Sequence, residues 1–316
     1  MKEKLVIILG PTACGKTALS LLVAQELQGE IISGDSMQVY RHMDIGTAKI
    51  NKNEMQGIPH HLIDILEPDQ PYSVADFQKM ARELITEINN RGKLPIIVGG
   101  TGLYISSVID SYLFTAESAQ DMEFRKQQKE IYAEDGAGTL YSRLQFIDPQ
   151  AAAKIHPNDS HRLIRALEVY QKTGRPISQL QKESQALPKP EYLLSVIGLT
   201  MDREKLYHRI EQRVDMMMKM GLKEEVSSLL AAGYDPDCQA MQGLGYRQIA
   251  RLLLRQTDEK TAVSDLKRDT RHFAKRQFTW FRRDERIKWF DIDDYRDMTS
   301  IAKDVICEIR RVIGED

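Results

Sequence analysis

The chain has 316 residues, 28% of them charged, and a formal net charge of −2 at pH 7. This length suffices for one large domain with an addition or for two domains. With a net charge near zero, no electrostatic argument from the surface as a whole favours nucleic acid, so any such site must be local. Cys14, Cys238 and Cys307 lie far apart and in no metal-ligand spacing, which argues against a zinc finger or a disulfide framework and for a reducing compartment. The chain begins with a predicted strand and has no apolar run of membrane-spanning length, so we expect a cytoplasmic protein without a membrane segment.

The first predicted element is a buried strand, Leu5–Leu9, followed by a loop that fits the phosphate-binding pattern G-x-x-x-x-G-K-[ST]. A helix is predicted from Ala18 to Leu27, with Gly29 as its stop. In such a strand–loop–helix unit, loop N–H groups and the helix N-terminus surround an anion, Lys16 adds a positive charge, and the Thr17 hydroxyl can reach Mg²⁺. The predicted phosphate or diphosphate site consists of Gly10, Pro11, Thr12, Ala13, Cys14, Gly15, Lys16 and Thr17.

The second predicted strand ends in Gly34-Asp35-Ser36. Ligands of a parallel α/β sheet bind at the carboxyl ends of the strands, so Asp35 lies beside the phosphate-binding loop if the second strand neighbours the first. We interpret Asp35 as a general base or as a residue that holds a magnesium-bound water; a helix cap or turn aspartate is the alternative. The paired His60 and His61 have no third ligand nearby, which favours packing or loop anchoring over metal binding.

A third buried strand, Leu94–Val98, leads into a second glycine loop. This loop carries Thr101, which is predicted to lie at the same sheet edge as Asp35. A P-loop ATPase usually has an acidic residue at the end of this strand, where magnesium is held. Val98–Gly100 stands there instead, which argues against ATP or GTP hydrolysis.

Between residues 116 and 188 the apolar strands give way to charged helical stretches punctuated by glycine and proline. Helices are predicted over 121–134, 138–146, 160–173 and 177–184, and a strand follows over 192–199. We therefore predict an α/β fold with a parallel sheet flanked by helices, as in P-loop NTPases. Its core comprises residues 1–115 and 189–316, and residues 116–188 form an all-helical insertion domain.

Two arginine pairs have helical spacing. Arg162 and Arg165 share a face at i,i+3, and the spacing alone favours a solvated surface. Arg209 and Arg213, at i,i+4 on a helix predicted from Asp202 to Met220, suit a diphosphate or surface pairing with Glu211.

The last third contains a glycine loop, Met241–Gln248, which could approach a nucleic-acid backbone closely. It also contains the strongly basic segment Asp265–Arg286. Leu266, Phe273 and Trp280 recur there every seven residues, which predicts one buried face. A second face carries Lys267, Arg271 and Lys275. Basic charge interleaved with aromatic rings suits RNA phosphates and bases; a solvated amphipathic helix is the alternative.

Six stretches together resemble one family, the tRNA dimethylallyltransferases, also called tRNA isopentenyltransferases. These stretches are Gly10–Thr17 (GPTACGKT), Ser33–Lys49, Gly99–Tyr104 (GGTGLY), His156–Val169, Gly243–Gln248 and Ala274–Arg283. They follow one another over nearly the whole chain, and Ser33–Lys49 and His156–Val169 are the most specific of them. One departure is Cys14, where serine is commoner; the two side chains are near-isosteres.

The resemblance implies transfer of the dimethylallyl group from dimethylallyl diphosphate to N6 of adenosine 37, beside the anticodon of tRNA. The phosphate-binding loop would hold the leaving diphosphate, whose growing charge Lys16 and a Thr17-bound Mg²⁺ would stabilise. Asp35 would accept the proton of the exocyclic amine, which is a poor nucleophile. Thr101 and Gln38 would hold the base after it leaves the anticodon stack. The implied catalytic residues are Asp35, Thr101 and Lys16.

The resemblance also assigns binding residues. Arg213 would help to hold the diphosphate. The tRNA anticodon stem-loop would contact Asp35, Ser36, Met37, Gln38, Thr101, Arg125, His161, Arg162, Leu163, Ile164, Arg165, Gln242, Gly243, Leu244, Gly245, Tyr246, Arg247, Lys275 and Arg276. The expected cofactor is Mg²⁺, and the protein is expected to be a monomer.

Three other functions remain open from the sequence. A P-loop kinase would bind ATP and use arginines of the inserted helices as a lid. An isopentenyltransferase acting on free AMP or ATP would share the core but have little use for the insertion. A non-catalytic RNA-binding protein would bind RNA equally well after the substitution Asp35→Asn.

Overall fold

The structure, a computed structural model, describes residues 2–110, 112 and 121–314. The chain forms two compact units, Met1–Val108 with Glu191–Asp316, and Ile109–Pro190. The predicted boundary between residues 115 and 116 lies outside the described residues. Within these residues, no helix is both long and apolar enough to cross a membrane.

The first unit is built on a sheet whose described strands are six in number and all parallel. They are β1 (Glu3–Leu9), β2 (Gly29–Ser33), β3 (His60–His61), β4 (Leu94–Gly99), β5 (Tyr192–Thr200) and β6 (Ile287–Asp291). The central strands are nearly continuous apolar runs, as expected when helices cover both faces of a sheet; Leu5, Ile7 and Ile8 in β1 are completely buried.

The order of the strands is β3-β2-β4-β1-β5-β6. The condition that the second strand neighbours the first is therefore wrong, because β4 lies between β1 and β2. The register aligns Leu9 with Gly99 and Val98 with Ser33. The carboxyl ends of these three strands thus lie side by side, and the residues that follow them share one edge.

Most of the predicted helices are present in the structure, which also contains short helices that were not predicted. In chain order they are α1 (Lys16–Glu26), α2 (Val74–Asn90), α3 (Gly102–Ile109), α4 (Met122–Asp135), α5 (Ala137–Ile147), α6 (Pro149–Ala152), α7 (Ser160–Thr173), α8 (Ile177–Ala186), α9 (Arg203–Lys219), α10 (Leu222–Ala231), α11 (Tyr246–Leu253), α12 (Glu259–Phe281) and α13 (Met298–Ile313).

Gly29 is not the stop of α1, contrary to the prediction. It lies inside β2, and Gln28 takes the left-handed turn conformation with φ of 50°. A Cβ atom on Gly29 would lie 2.6 Å from Ile96 Cδ1 and 2.9 Å from the Leu94 carbonyl. The glycine therefore permits the close approach of β2 to β4.

The predicted seven-residue stripe on α12 is wrong in part. Leu266 is buried, but Trp280 is 44% exposed, and the buried face continues through Ala274, Gln277 and Phe281. A straight helix turns once per 3.6 residues, so a strict repeat of seven drifts around its surface by about 20° each time.

The second unit is helical and comprises α4 to α8, with a small core formed by α5, α6 and α7. Its core includes Leu163 and Ile164 of α7. Glu168 of the same helix is also fully buried and is paired with two arginines. Arg125 binds it with Nε and Nη2, both at 2.8 Å, and Arg165 Nη1 lies 2.6 Å from it.

Candidate active site

A cavity of about 750 Å³ lies in the first unit, beside the carboxyl ends of β1, β2 and β4. Helices α9 and α12 and the loop before α11 complete its wall. Seventeen of the residues assigned above by motif or resemblance line it. These residues are Thr12, Ala13, Gly15, Lys16, Thr17, Asp35, Ser36, Met37, Gln38, Thr101, Arg213, Gln242, Gly243, Leu244, Tyr246, Arg247 and Arg276.

The loop between β1 and α1 is tightly folded. Gly10 has φ of 149°, and a Cβ there would lie 2.7 Å from the Leu199 carbonyl. Ala13 and Gly15 have φ of 66° and 89°, which is strained for alanine. Lys16 Nζ folds back and donates to the carbonyls of Gly10 at 3.0 Å and Pro11 at 2.8 Å. Because α1 begins at Lys16, the unpaired N–H groups of its first turn belong to this loop.

Cys14 has its side chain inside the core and is completely buried. Burial raises the pKa of its thiol above the ordinary value, although the Lys16 charge opposes this effect. A buried thiol of raised pKa is chemically inert. Cys14 therefore belongs to the loop through its backbone alone.

Charged side chains converge at this end of the cavity. Burial lowers the pKa of Lys16, and the positive charge of Arg213 lowers it further, while Asp35 has the opposite effect. Burial likewise lowers the pKa of Arg213, and Asp35 again opposes the shift. Two partly desolvated cations thus lie near one carboxylate, and Arg209 lines the same wall. An anionic ligand would relieve the repulsion between the cations.

Asp35 lies just past the end of β2 and is partly buried. Its Oδ1 accepts a hydrogen bond from the Met37 N–H at 2.8 Å, which is the geometry of an aspartate turn. Among the described residues, Oδ2 has no hydrogen-bond partner, so the turn leaves one oxygen able to accept a proton. Thr101, at the start of α3, reaches the cavity from the neighbouring strand.

Gln38 lines the cavity, but its amide is already engaged. Oε1 accepts from the Ser33 hydroxyl at 3.1 Å, and Nε2 lies 3.4 Å from the Thr47 carbonyl. The segment beyond it is fixed by Lys49, whose side chain is 4% exposed. Lys49 Nζ donates to the Tyr40 carbonyl and to Asp64 and Asp44. Lys49 is therefore a buried anchor for this segment.

Glu225 of α10 also binds the segment that Lys49 anchors, at residues 44–46. Its Oε2 accepts from the N–H groups of Asp44 at 2.9 Å and Ile45 at 2.8 Å, and its Oε1 from that of Gly46 at 3.1 Å. The Tyr246 hydroxyl donates to Oε1 at 2.6 Å. The Tyr246 ring is completely buried and covers Gly46, where a Cβ would lie 2.4 Å from the ring. Tyr246 thus supports the wall, and its hydroxyl is directed into the protein.

Other predicted contacts lie away from the cavity or are already paired. Arg247 is half-exposed and lies 3.3 Å from Asp269, while Lys275 is exposed and does not line the cavity. Gly245 is buried at the start of α11. The predicted pairing of Arg209 or Arg213 with Glu211 is wrong, because Glu211 binds Arg271.

The predicted contacts of the second unit divide into two groups. His161 and Arg162 are exposed at the start of α7. Leu163 and Ile164 have their side chains in the core of this unit, and contact of this stretch with tRNA stays a prediction. Arg125 and Arg165 bind Glu168, which spacing alone did not indicate for Arg125, 43 residues away.

The sequence analysis did not assign Ser33, Thr47, Phe273 or Gln277 to the site, although all four line the cavity. Arg209, which its i,i+4 spacing from Arg213 had marked as suited to a diphosphate, lines it as well. Gln277 had a weaker signal, as a polar residue on the buried face of α12, one turn after Ala274.

His60 and His61 are held by local bonds, as the packing interpretation expected. His60 Nδ1 lies 2.8 Å from the Ile58 carbonyl, and His61 Nε2 lies 2.7 Å from Glu30. Within the described part of the chain, no group of three His, Cys, Asp or Glu residues could hold a metal ion.

The fold and the cavity define an α/β protein with a cationic cleft at the carboxyl edge of a parallel sheet. The sequence model of the IPP transferase family matches residues 38–284. The chain belongs to the IPP transferase family.

Individual relatives agree with this membership. A tRNA dimethylallyltransferase of Carboxydothermus hydrogenoformans is 58% identical over 291 residues, which cover 92% of this chain and 93% of the relative. One of Thermoanaerobacter sp. strain X514 is 53% identical over 307 residues, 97% of each chain.

Solved structures are similar as well. A tRNA isopentenylpyrophosphate transferase of Bacillus halodurans is 45% identical, with a TM-score of 0.71 over 99% of both chains. A eukaryotic dimethylallyltransferase described as acting on tRNA is 28% identical, with a TM-score of 0.82 over 99% of this chain and 80% of that one.

Proposed function

We propose that this protein transfers the dimethylallyl group of dimethylallyl diphosphate to N6 of adenosine 37 in tRNA and releases diphosphate. Membership in the family and the identity to tRNA dimethylallyltransferases over most of the chain support the transfer to tRNA. The observation that carries the mechanism is the convergence of Lys16, Arg213 and Asp35 on one cavity. A cationic end suits a diphosphate, and a carboxylate beside it suits a proton acceptor.

The loop Gly10–Thr17 acts as a P-loop that binds a leaving diphosphate in place of a nucleotide. The N–H groups at the start of α1 and the charges of Lys16 and Arg213 stabilise the negative charge that grows as the carbon–oxygen bond breaks. Lys16 is held in place before the substrate arrives, since its Nζ donates to two loop carbonyls. A charge that is already positioned stabilises the growing negative charge of the transition state without further reorganisation.

Magnesium fits this end of the cavity. Mg²⁺ commonly takes one or two protein oxygens, keeps several waters and otherwise binds substrate phosphates. Thr17, in the first turn of α1, would supply a hydroxyl oxygen beside the diphosphate. When bound, the ion would neutralise charge on the leaving group.

The acceptor is the exocyclic amine of adenine, whose lone pair is delocalised into the ring. Its N6 forms a bond to C1 of the dimethylallyl group while the bond from C1 to the diphosphate oxygen breaks. The proton of N6 passes to Asp35, whose Oδ2 is available, while Oδ1 is fixed by the Met37 N–H. Thr101 and Gln38 hold the base, which has left the anticodon stack.

The tRNA surface continues outward from the cavity. Exposed contacts to phosphates are provided by Lys275 and Arg276 near the end of α12, by Gln242 before α11 and by Arg247 in the first turn of α11. In the second unit, His161 and Arg162 are the exposed members of the predicted set. We propose that the protein acts as a monomer in the cytoplasm.

A mass assay tests the reaction. The protein, Mg²⁺ and dimethylallyl diphosphate are incubated with an anticodon stem-loop carrying adenosine at positions 36 and 37, and with AMP and ATP separately. We expect one dimethylallyl mass on the RNA alone. Alkylation of AMP alone would indicate synthesis of a free prenylated nucleotide, and no alkylation together with tight ATP binding would support a kinase instead.

The substitution Asp35→Asn tests the proton acceptor. We expect the rate of alkylation to fall by about 100- to 10,000-fold, with stem-loop binding retained. A rate within threefold of the wild type would exclude Asp35 as the base.

A further inference from the structure

Gln277 connects two loops of the cavity. Its side chain is 5% exposed and projects from the buried face of α12. Oε1 accepts a hydrogen bond from the Thr12 N–H at 2.9 Å, and Nε2 donates to the Gly100 carbonyl at 3.0 Å. Thr12 follows β1 and Gly100 follows β4, so a single amide joins the diphosphate loop to the loop that carries Thr101.

The Gln277 side chain lies just beyond the end of the pairing between β1 and β4. The backbone pairing of β1 and β4 ends at Leu9 and Gly99, where the two strands separate into their loops. Gln277 supplies a donor and an acceptor just beyond that point, where the backbones no longer bond to each other. The amide therefore continues the connection between the two strands into the cavity.

Gly100 is matched to Gln277. A Cβ atom at position 100 would lie 2.0 Å from Gln277 Nε2, a distance that no side chain tolerates. The absence of a side chain at position 100 thus allows the amide to reach both loops. An apolar side chain of similar size could fill the same volume but could not join the two backbones.

We infer that Gln277 is a positioning residue that fixes the spacing between the diphosphate loop and the loop of Thr101. The inference rests on the proposed function, in which one loop holds the donor and the other helps to hold adenine. The spacing of the loops then sets the distance between C1 of the donor and N6 of the acceptor. Misplacement of reacting groups by about 1 Å can reduce a rate by about 100-fold.

The test is single-turnover alkylation of the stem-loop by the variant Gln277→Met, which keeps the size of the side chain and removes both hydrogen bonds. We expect the rate constant at saturating substrates to fall by about 100-fold. The dissociation constant of the stem-loop and the KM for dimethylallyl diphosphate should change by less than about threefold, because the groups that bind each substrate remain. A residue that only supports the fold would not produce this division between rate and binding.

Two further variants test the inference if Gln277→Met does not fold. Gln277→Glu keeps the acceptor for Thr12 but places a carboxylate oxygen against the Gly100 carbonyl and a negative charge beside the diphosphate loop, so we expect a loss at least as large as that of Gln277→Met. Gly100→Ala should reduce the rate, and combining it with Gln277→Ala should add no further loss, because both changes break the same contact.

Asn89→Leu is the matched control. Asn89 is also a side-chain amide that bridges β1 to a helix, accepting from Lys4 N–H at 2.9 Å and donating to Lys4 O at 3.0 Å. It acts at the opposite end of β1, away from the cavity, so we expect lower stability and a rate within twofold of the wild type.

The outcomes separate the inference from the function on which it rests. An active wild type with Gln277→Met within threefold of its rate would overturn this inference alone. Weaker binding of either substrate with an unchanged rate constant would also overturn it, because Gln277 would then be a binding residue. A wild type that alkylates no RNA would overturn the proposed function.

Discussion

The Glu225 carboxylate accepts hydrogen bonds from the N–H groups of residues 44–46. Removing it should therefore loosen this segment, and hydrogen exchange can measure the change. Glu225→Ala leaves the N–H groups of Asp44, Ile45 and Gly46 without their acceptor, and the buried Tyr246 hydroxyl without a partner. Asp44 lies at the surface, where water can replace the lost bond. Ile45 N and Gly46 N are more shielded, so their bonds decide the magnitude.

Hydrogen bonds to a charged group contribute about 1.5 kcal/mol or more each, so the loss of two gives about 3 kcal/mol. A change of 1.4 kcal/mol alters an equilibrium tenfold, so amide exchange of Ile45 and Gly46 should accelerate by about 100-fold. Hydrogen exchange of this segment measures the effect directly. Glu224→Ala is the control, since it removes the same charge from the first turn of α10.

The same variant should affect the two substrates differently. Thr47 and Ala48 directly follow the released turn and line the cavity, whereas the loop at Lys16 has no contact with Glu225 among the described hydrogen bonds. We expect the KM for the stem-loop to rise by about 10-fold or more, and that for dimethylallyl diphosphate to stay within about twofold. Unchanged exchange at Ile45 and Gly46 would refute the reasoning.

Two further predictions concern buried charges. Burial opposes ionisation of Glu168, but hydrogen bonds from Arg125, Asp121 N–H and Arg165 outweigh it and hold its pKa below the ordinary value of 4.5. Its contribution to stability is therefore present above pH 4.5 and lost as the pH falls through the lower folded value. Glu168→Gln should lower the free energy of unfolding by about 3 kcal/mol at pH 7 and by less below pH 4, as urea unfolding measures; equal losses at both pH values would contradict this. Arg213→Met should raise the KM for dimethylallyl diphosphate by about 10- to 100-fold, while Arg203→Met, on the exposed side of the same helix, should not.

Local patterns predicted the parts of the fold that local physics determines. Apolar runs indicated β1, β4 and β5 because strands covered on both faces are apolar throughout. The strand–glycine loop–helix pattern indicated the loop at Lys16, and Asp35 and Thr101 were correctly expected at one sheet edge. These inferences needed only neighbouring residues and the rule that parallel strands present their ligands at the carboxyl end.

Local sequence patterns do not predict which strands of the sheet pair with each other. Nothing local shows that β4 lies between β1 and β2, because any of these strands is apolar enough for the central position. Gly29 illustrates the same limit, since a glycine after a helix is compatible with a stop and with close contact between strands. Arg125 was visible as a basic residue, but its buried partner Glu168 is 43 residues away.

The residues that organise the cavity come from the part of the chain with the weakest motifs. Glu225 fixes a segment about 180 positions before it, and Gln277 bonds to Thr12 across 265 positions. In the proposed function the phosphate-binding loop and the Asp35 turn carry the reacting groups, while residues of the last third of the chain hold these segments in place. The first hundred residues alone would retain every motif of the donor site and lack Arg213, Glu225 and Gln277. Since a reaction between two bound substrates depends on their spacing, the proposed function makes the basic helix α12 a part of the catalytic core as well as of the surface proposed for tRNA.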